Sequence, residues 1–261
     1  MAELYLKGLK INYLEKNPPS RSSNYQIIFI HGSGGNASIW QKIMDIISQK
    51  GWGSMAVSLP GHGPSAGEGM ASIPEYSEFV NDFIIKKGYE NIFLAGHSLG
   101  GGIVLDFALK YPEKLKGIIL IGTGARLRVH PQALEMFRQM AEGEIEPKFE
   151  PWAFAENTPA HILAEGEKEW MVTNPRVRYM DLKACDQFDL MEEVEKIHLP
   201  TLIVVGTKDR LTPVKYAEYL HKKIRGAKLA IIPEAGHMLM LEAPELLALA
   251  ITNFLEPFNQ N

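Results

Sequence analysis

The segment Asn91-Ile92-Phe93-Leu94-Ala95-Gly96-His97-Ser98-Leu99-Gly100-Gly101-Gly102-Ile103 settles the architecture. Residues 92–95 form a short apolar run of strand character. Ile103, Phe107 and Leu109 continue at helical spacing until Pro112 ends the helix. Between the two, Gly96-His97-Ser98-Leu99-Gly100 is a Gly-x-Ser-x-Gly turn from strand to helix. So tight a turn holds its central residue at a strained backbone angle, and side chains at the flanking glycines would collide with neighbouring backbone. The strain lifts the Ser98 hydroxyl above the sheet, beside a helix N-terminus. A glycine-rich turn with an incidental serine is the alternative, and the strand before and helix after argue against it.

Similar apolar runs lie to either side, at 27–30, 54–59, 117–121, 201–205 and 228–232. Each reads as a buried parallel strand. Between them Ile39, Ile43, Ile46 and Ile47 share one helical face, and so do Tyr76, Phe79, Val80 and Phe83. Pro213 and Pro244 open further helices, to about Ile224 and Leu255. Residues 4–14, broken by Gly8, suggest an opening hairpin, followed by a loop at Pro18-Pro19-Ser20. Strand alternating with helix predicts an α/β fold: a mostly parallel sheet with helices on both faces. The alternation lapses over 124–189, where Leu134, Phe137, Ile162, Leu163, Trp170 and Met171 keep helical spacing and no strand appears. The expected organisation is a core from 1–123 and 190–261 with a helical cap at 124–189.

A serine hydroxyl is a poor nucleophile without a base. Of eight histidines, His237 alone stands in a loop directly after the last strand, in Pro233-Glu234-Ala235-Gly236-His237-Met238. The imidazole needs an acid to fix its tautomer. Asp209 follows the 201–205 strand, whereas Gly122-Thr123-Gly124, the rival position, holds no carboxylate. The order Ser98, Asp209, His237 is that of an α/β-hydrolase triad. Two backbone N–H donors are needed for a developing oxyanion. Leu99 is one candidate; Ser33 in His31-Gly32-Ser33-Gly34-Gly35 is the other, with Gly34 its alternative. His31 reads as a structural residue bonding across this loop. That loop is no dinucleotide fingerprint, because Ala37 stands where the third glycine would fall.

Composition excludes other classes. The 261 residues carry a formal net charge of -4, 46% hydrophobic and 22% charged residues, and no dense Lys/Arg run. Nucleic acid is therefore not an expected partner. No apolar run approaches the ~20 residues that cross a bilayer, and no secretory signal is evident, so a cytoplasmic location without membrane insertion is expected. A single cysteine, Cys185, forbids an intrachain disulfide and reads as a small buried hydrophobe. His62 reads as a turn residue. No metal-ligand spacing occurs, and no cofactor is expected. Oligomeric state is not legible.

In His31-Gly32, in Leu59-Pro60-Gly61-His62-Gly63-Pro64-Ser65, and in segments 96–102, 201–213 and 236–244, the chain resembles the α/β-hydrolase superfamily, in its single-domain carboxylesterase and lipase-like branch. The resemblance covers nearly the whole chain. It implies an eight-stranded, mostly parallel sheet with a helical cap. One departure is Ser58, where many relatives carry aspartate. Dehalogenases and epoxide hydrolases have aspartate in place of Ser98, and carbon–carbon hydrolases tend to have tryptophan in place of Met238. The resulting expectation is a serine carboxylesterase acting on small, largely apolar esters through an acyl-enzyme. The alternatives are a slow-turnover receptor or sensor, a thioesterase, an acyltransferase and a perhydrolase. Met136, Phe137, Met140 and Trp152 of the cap, with Gly32, Gly34 and Met238 of the core, are the expected pocket residues. The recurring glutamates of 142–169 speak against a strongly anionic substrate.

Overall fold

The computed structural model describes residues 1–17 and 26–258; the loop expected at Pro18-Pro19-Ser20 lies outside them. The chain opens with strands β1 (Ala2–Leu6) and β2 (Leu9–Lys16), paired antiparallel. Their two-residue turn, Lys7-Gly8, takes positive φ at both positions, the twist that suits a hairpin. Then follow β3 (Gln26–Ile30), α1 (Gln41–Ser48), β4 (Gly53–Val57), α2 (Ile73–Lys87), β5 (Ile92–His97), α3 (Leu99–Lys110) and β6 (Leu115–Ile121). Three helices come next: α4 (Pro131–Glu142), α5 (Ala160–Val172) and α6 (Pro175–Gln187). The chain then adds β7 (Thr201–Gly206), α7 (Val214–Lys223), β8 (Lys228–Ile232), the single turn α8 (Leu239–Glu242) and α9 (Pro244–Leu255).

The eight strands form one sheet in the order β1-β2-β4-β3-β5-β6-β7-β8. Every pairing from β4 to β8 is parallel, and β2 joins β4 antiparallel. The fold is the α/β-hydrolase architecture that the sequence led us to expect. Its core follows from the period-two alternation of strand side chains. Ile28, Ile30, Met55, Leu94, Ile118, Leu120 and Ile203 point to one face, where α2, α3 and α7 pack. Ile27, Phe29, Phe93, Ala95, Ile119, Ile121 and Val204 point to the other, against α1 and α9. Since both faces are covered, the central strands have no solvent side and read as continuous apolar runs. A lone antiparallel bridge, Arg126 to Asp189, ties the two stems of the three-helix insertion.

Candidate active site

Ser98 sits between β5 and α3 with φ 54° and ψ −116°, a left-handed backbone that costs a residue bearing a Cβ about 1–3 kcal/mol. Its neighbours enforce it. A Cβ at Gly96 would strike the Gly100 carbonyl, and one at Gly100 would strike the Ile30 carbonyl. The Thr123 hydroxyl donates to the Ser98 carbonyl at 2.8 Å and pins the turn from β6. Ser98 is half-buried, and among the described residues its hydroxyl has no hydrogen-bond partner.

Asp209 and His237 lie in the loops after β7 and β8, and parallel adjacency of these strands brings the loops together. Nδ1 of His237 is 2.8 Å from Asp209 Oδ2. The carboxylate also accepts from the amides of Leu211 (2.9 Å) and Thr212 (2.8 Å) and from the Thr212 hydroxyl (2.7 Å). Burial alone would raise the Asp209 pKa, but the imidazole, its hydrogen bond and the Thr212 donors outweigh it and hold the acid below the usual carboxylate range. The carboxylate oxygens therefore fix the Nδ1–H tautomer, leaving Nε2 free; among the described residues it has no partner. Gly122, at φ 50°, leaves the room this pair needs: a Cβ there would lie 3.3 Å from His237 Nδ1 and 3.4 Å from Asp209 Oδ2. The strand end lacking a carboxylate is thus where the pair is accommodated.

Two groups, the buried His97 and the half-buried Glu242, hold the loops around Ser98. His97 Nε2 donates to the His237 carbonyl at 2.9 Å, and desolvation, then the neighbouring His237, pushes its pKa down to about 3. Glu242, in α8, accepts from the amides of Gly236 (3.0 Å) and Met238 (3.1 Å) on either side of His237. It also accepts from Ala155 N (2.9 Å) and Thr158 Oγ1 (2.8 Å) between α4 and α5. The His237 amide itself donates to the Ala153 carbonyl at 2.8 Å.

The glycine-rich loop after β3 comes alongside. A Cβ at Gly32 would lie 3.2 Å from Ser98 Cβ. His31 is structural: its Nε2 accepts from Leu59 N at 3.1 Å and its Nδ1 donates to the Gly32 carbonyl at 2.8 Å. The amide of Gly34 donates to Asp181 Oδ2 at 2.9 Å, which removes it as a free donor. Among the described residues the Ser33 and Leu99 amides have no partner. His62 is no simple turn residue. It is fully buried, with Nε2 2.8 Å from Asp181 and Nδ1 3.0 Å from the Pro60 carbonyl. Both ring nitrogens face acceptors, which fixes the ring between the Pro60 carbonyl and Asp181. Tyr76 donates to the other Asp181 oxygen at 2.6 Å.

A cavity of about 460 Å³ opens above Ser98. Its wall includes Gly32, Ser33, Gly34, Ser98, His237 and Met238 from the core and Phe137, Trp152, Trp170 and Arg178 from the insertion. Met136 and Met140, expected there, do not line it. Ala133 and Phe137 form the i, i+4 row of α4 that does, and Met136 and Met140 form the neighbouring row; Met140 is buried beneath the helix. Cys185 is buried, and desolvation raises its thiol pKa. Asp181, Glu242 and Arg178 escaped the sequence reading, because each acts through partners distant in the chain and none belongs to a local motif. Among the described residues no group of three or more His, Cys, Asp or Glu side chains is placed to hold a metal, and no helix is long and apolar enough to cross a membrane.

Known proteins share much of this chain's length and its fold. A pimeloyl-[acyl-carrier protein] methyl ester esterase of Neisseria meningitidis is 26% identical over 257 residues, covering 88% of this chain and 93% of its own. A solved thermophilic esterase superposes with a TM-score of 0.82 at 33% identity, over 98% of this chain and 97% of that one. An esterase from Exiguobacterium antarcticum, at 22% identity and a TM-score of 0.84, covers 96% of this chain and 97% of its own and shares the fold. Residues 21–244 match the serine aminopeptidase S33 family, and the chain belongs to that family, as an esterase-like α/β-hydrolase.

Proposed function

We propose that the protein hydrolyses carboxylic esters of small molecules through an acyl-enzyme on Ser98. The observation that carries this reading is the unpaired Ser98 hydroxyl on its strained turn, sharing one cavity with a His237 whose Nδ1 is held by Asp209 at 2.8 Å. The hydroxyl attacks the ester carbonyl as His237 Nε2 takes its proton. Hydrogen bonds of this kind commonly tighten only with substrate bound. The free amides of Ser33 and Leu99 receive the oxyanion. His237 then protonates the departing alcohol, and water activated by the same imidazole releases the acid.

In this reading residues 124–189 act as a cap that walls the acyl or alcohol group with apolar surface and excludes water. The test is steady-state hydrolysis of a graded series of 4-nitrophenyl esters. Multiple turnovers per chain are expected, with complete loss in Ser98→Ala. Undiminished hydrolysis by Ser98→Ala rejects the reading; a single burst with no further turnover favours a sensor.

A further inference from the structure

Arg178 stands in the first turn of α6, on the cavity wall, and is only 3% exposed. Of its five N–H groups, one hydrogen bond is accounted for among the described residues, from Nη2 to the Trp170 carbonyl. The guanidinium stacks on the Trp170 ring at 3.9 Å. Its Nε–H is buried with no partner and abuts Gly34, where a Cβ would collide with it. Among the described residues no carboxylate lies within 4.0 Å of it. Burial draws its pKa down to about 10, which leaves it protonated at neutral pH.

A buried cation without a hydrogen-bonded counter-ion is costly; Asp181 offsets part of that cost through its charge alone, and the surrounding carboxylates accept from other donors. Asp181, one turn along, holds His62, Tyr76 and Gly34. Glu169 accepts from Asn36 Nδ2 at 3.0 Å and Ser38 Oγ at 2.7 Å. Glu150 pairs with Lys148 at 2.5 Å. The other wall arginines are also engaged: Arg210 with Glu156 at 3.3 Å, Arg128 with the Asp186 carbonyl at 2.6 Å. The N-terminal end of α6 adds positive potential of its own. Arg178 is therefore a buried cation with unused N–H donors on the wall of a largely apolar cavity.

We infer that Arg178 is a carboxylate subsite, and that the preferred esters carry a free carboxylate a few bonds from the scissile carbonyl, as in half-esters of short dicarboxylic acids. The position follows from the loop: Arg178 meets Gly34, two residues from the Gly32 that packs on Ser98. A planar fork suits a carboxylate, and one guanidinium balances one charge, whereas a phosphate dianion would leave a charge over. This names the substrate class for the proposed hydrolysis and rests on that reading for its chemistry, although its binding test does not need turnover. It also reverses the expectation, drawn from the glutamates of 142–169, that anionic substrates are disfavoured.

The experiment is calorimetric titration of the Ser98→Ala protein, in which the ester persists, with monomethyl glutarate and with dimethyl glutarate. The monoanion is expected to bind about ten- to a hundredfold more tightly, the scale of hydrogen bonds to a charged group. Adding Arg178→Gln is expected to bring the two affinities within about twofold. Equal affinities in Ser98→Ala overturn the subsite, and so does a preference that survives Arg178→Gln. If that double variant does not fold, Arg178→Lys replaces it, keeping the charge without the fork; an undiminished preference there overturns the proposal as well. Turnover of the two esters by the unsubstituted chain is scored separately. Its absence counts against hydrolysis at Ser98 and leaves the affinity comparison to judge the subsite.

Discussion

Asp209 spends four hydrogen bonds on orientation, and its replacement should be felt in rate more than in fold. An amide at that position can accept from Thr212 yet would present an N–H2 to the imidazole, inverting its tautomer. Asp209→Asn is expected to lower kcat by about 10⁴-fold with KM nearly unchanged, measured on the best ester of the graded series. A loss below tenfold would mean that His237 does not need the Nδ1–H form. The three positions Ser98, Asp209 and His237 were legible because each follows a strand and carries a residue type with few other uses there. The fate of the Gly34 amide was not. It donates to Asp181, 147 residues away, a partner no local pattern reveals, which leaves the Ser33 amide as the free one.

At the scale of elements, the strands were readable from short apolar runs and the helices from spacing and proline starts. The single turn α8 was not, since four residues are too few to show a period. It nevertheless carries Glu242, whose carboxylate gathers donors from the His237 loop and from the segment between α4 and α5. Glu242→Gln turns an N–H2 group toward backbone N–H donors and removes the charge from the bonds that remain. Stability is expected to fall by about 2 kcal/mol, the cost of losing hydrogen bonds to a charged group, as read by urea unfolding. The rate should fall with it, because the residues flanking His237 are released. An unaltered kcat in a destabilised variant would show that α8 holds the insertion without positioning the imidazole.

For the molecule as a whole, the two neutral histidines beside the site predict acid sensitivity. Desolvation, reinforced by His62 and His237 respectively, takes His31 and His97 down to about 3. In the unfolded chain each regains a value near 6.5. Between about pH 6.5 and 3 the unfolded state therefore binds more protons, and each histidine removes about 1.4 kcal/mol of stability per pH unit of acidification once well below 6.5. The depressed Asp181 and Asp209 keep their stabilising contribution above the ordinary carboxylate range and lose it only at lower pH, as their own folded values are crossed. Urea midpoints should thus fall from pH 6.5 to 5, with a shallower slope in His31→Gln or His97→Gln. A flat profile over that interval would show that these rings are not held neutral.

The hydrogen bond between His97 and His237 joins positions 140 residues apart, across strands that are edge and centre of one sheet. Hydrolysis therefore cannot emerge piecemeal during refolding. Helices form early and locally, yet the last parallel strand must dock before His237 reaches the cavity that Ser98 lines. Recovered turnover is consequently a clock for completion of the chain's assembly, trailing the far-ultraviolet signal that marks its beginning.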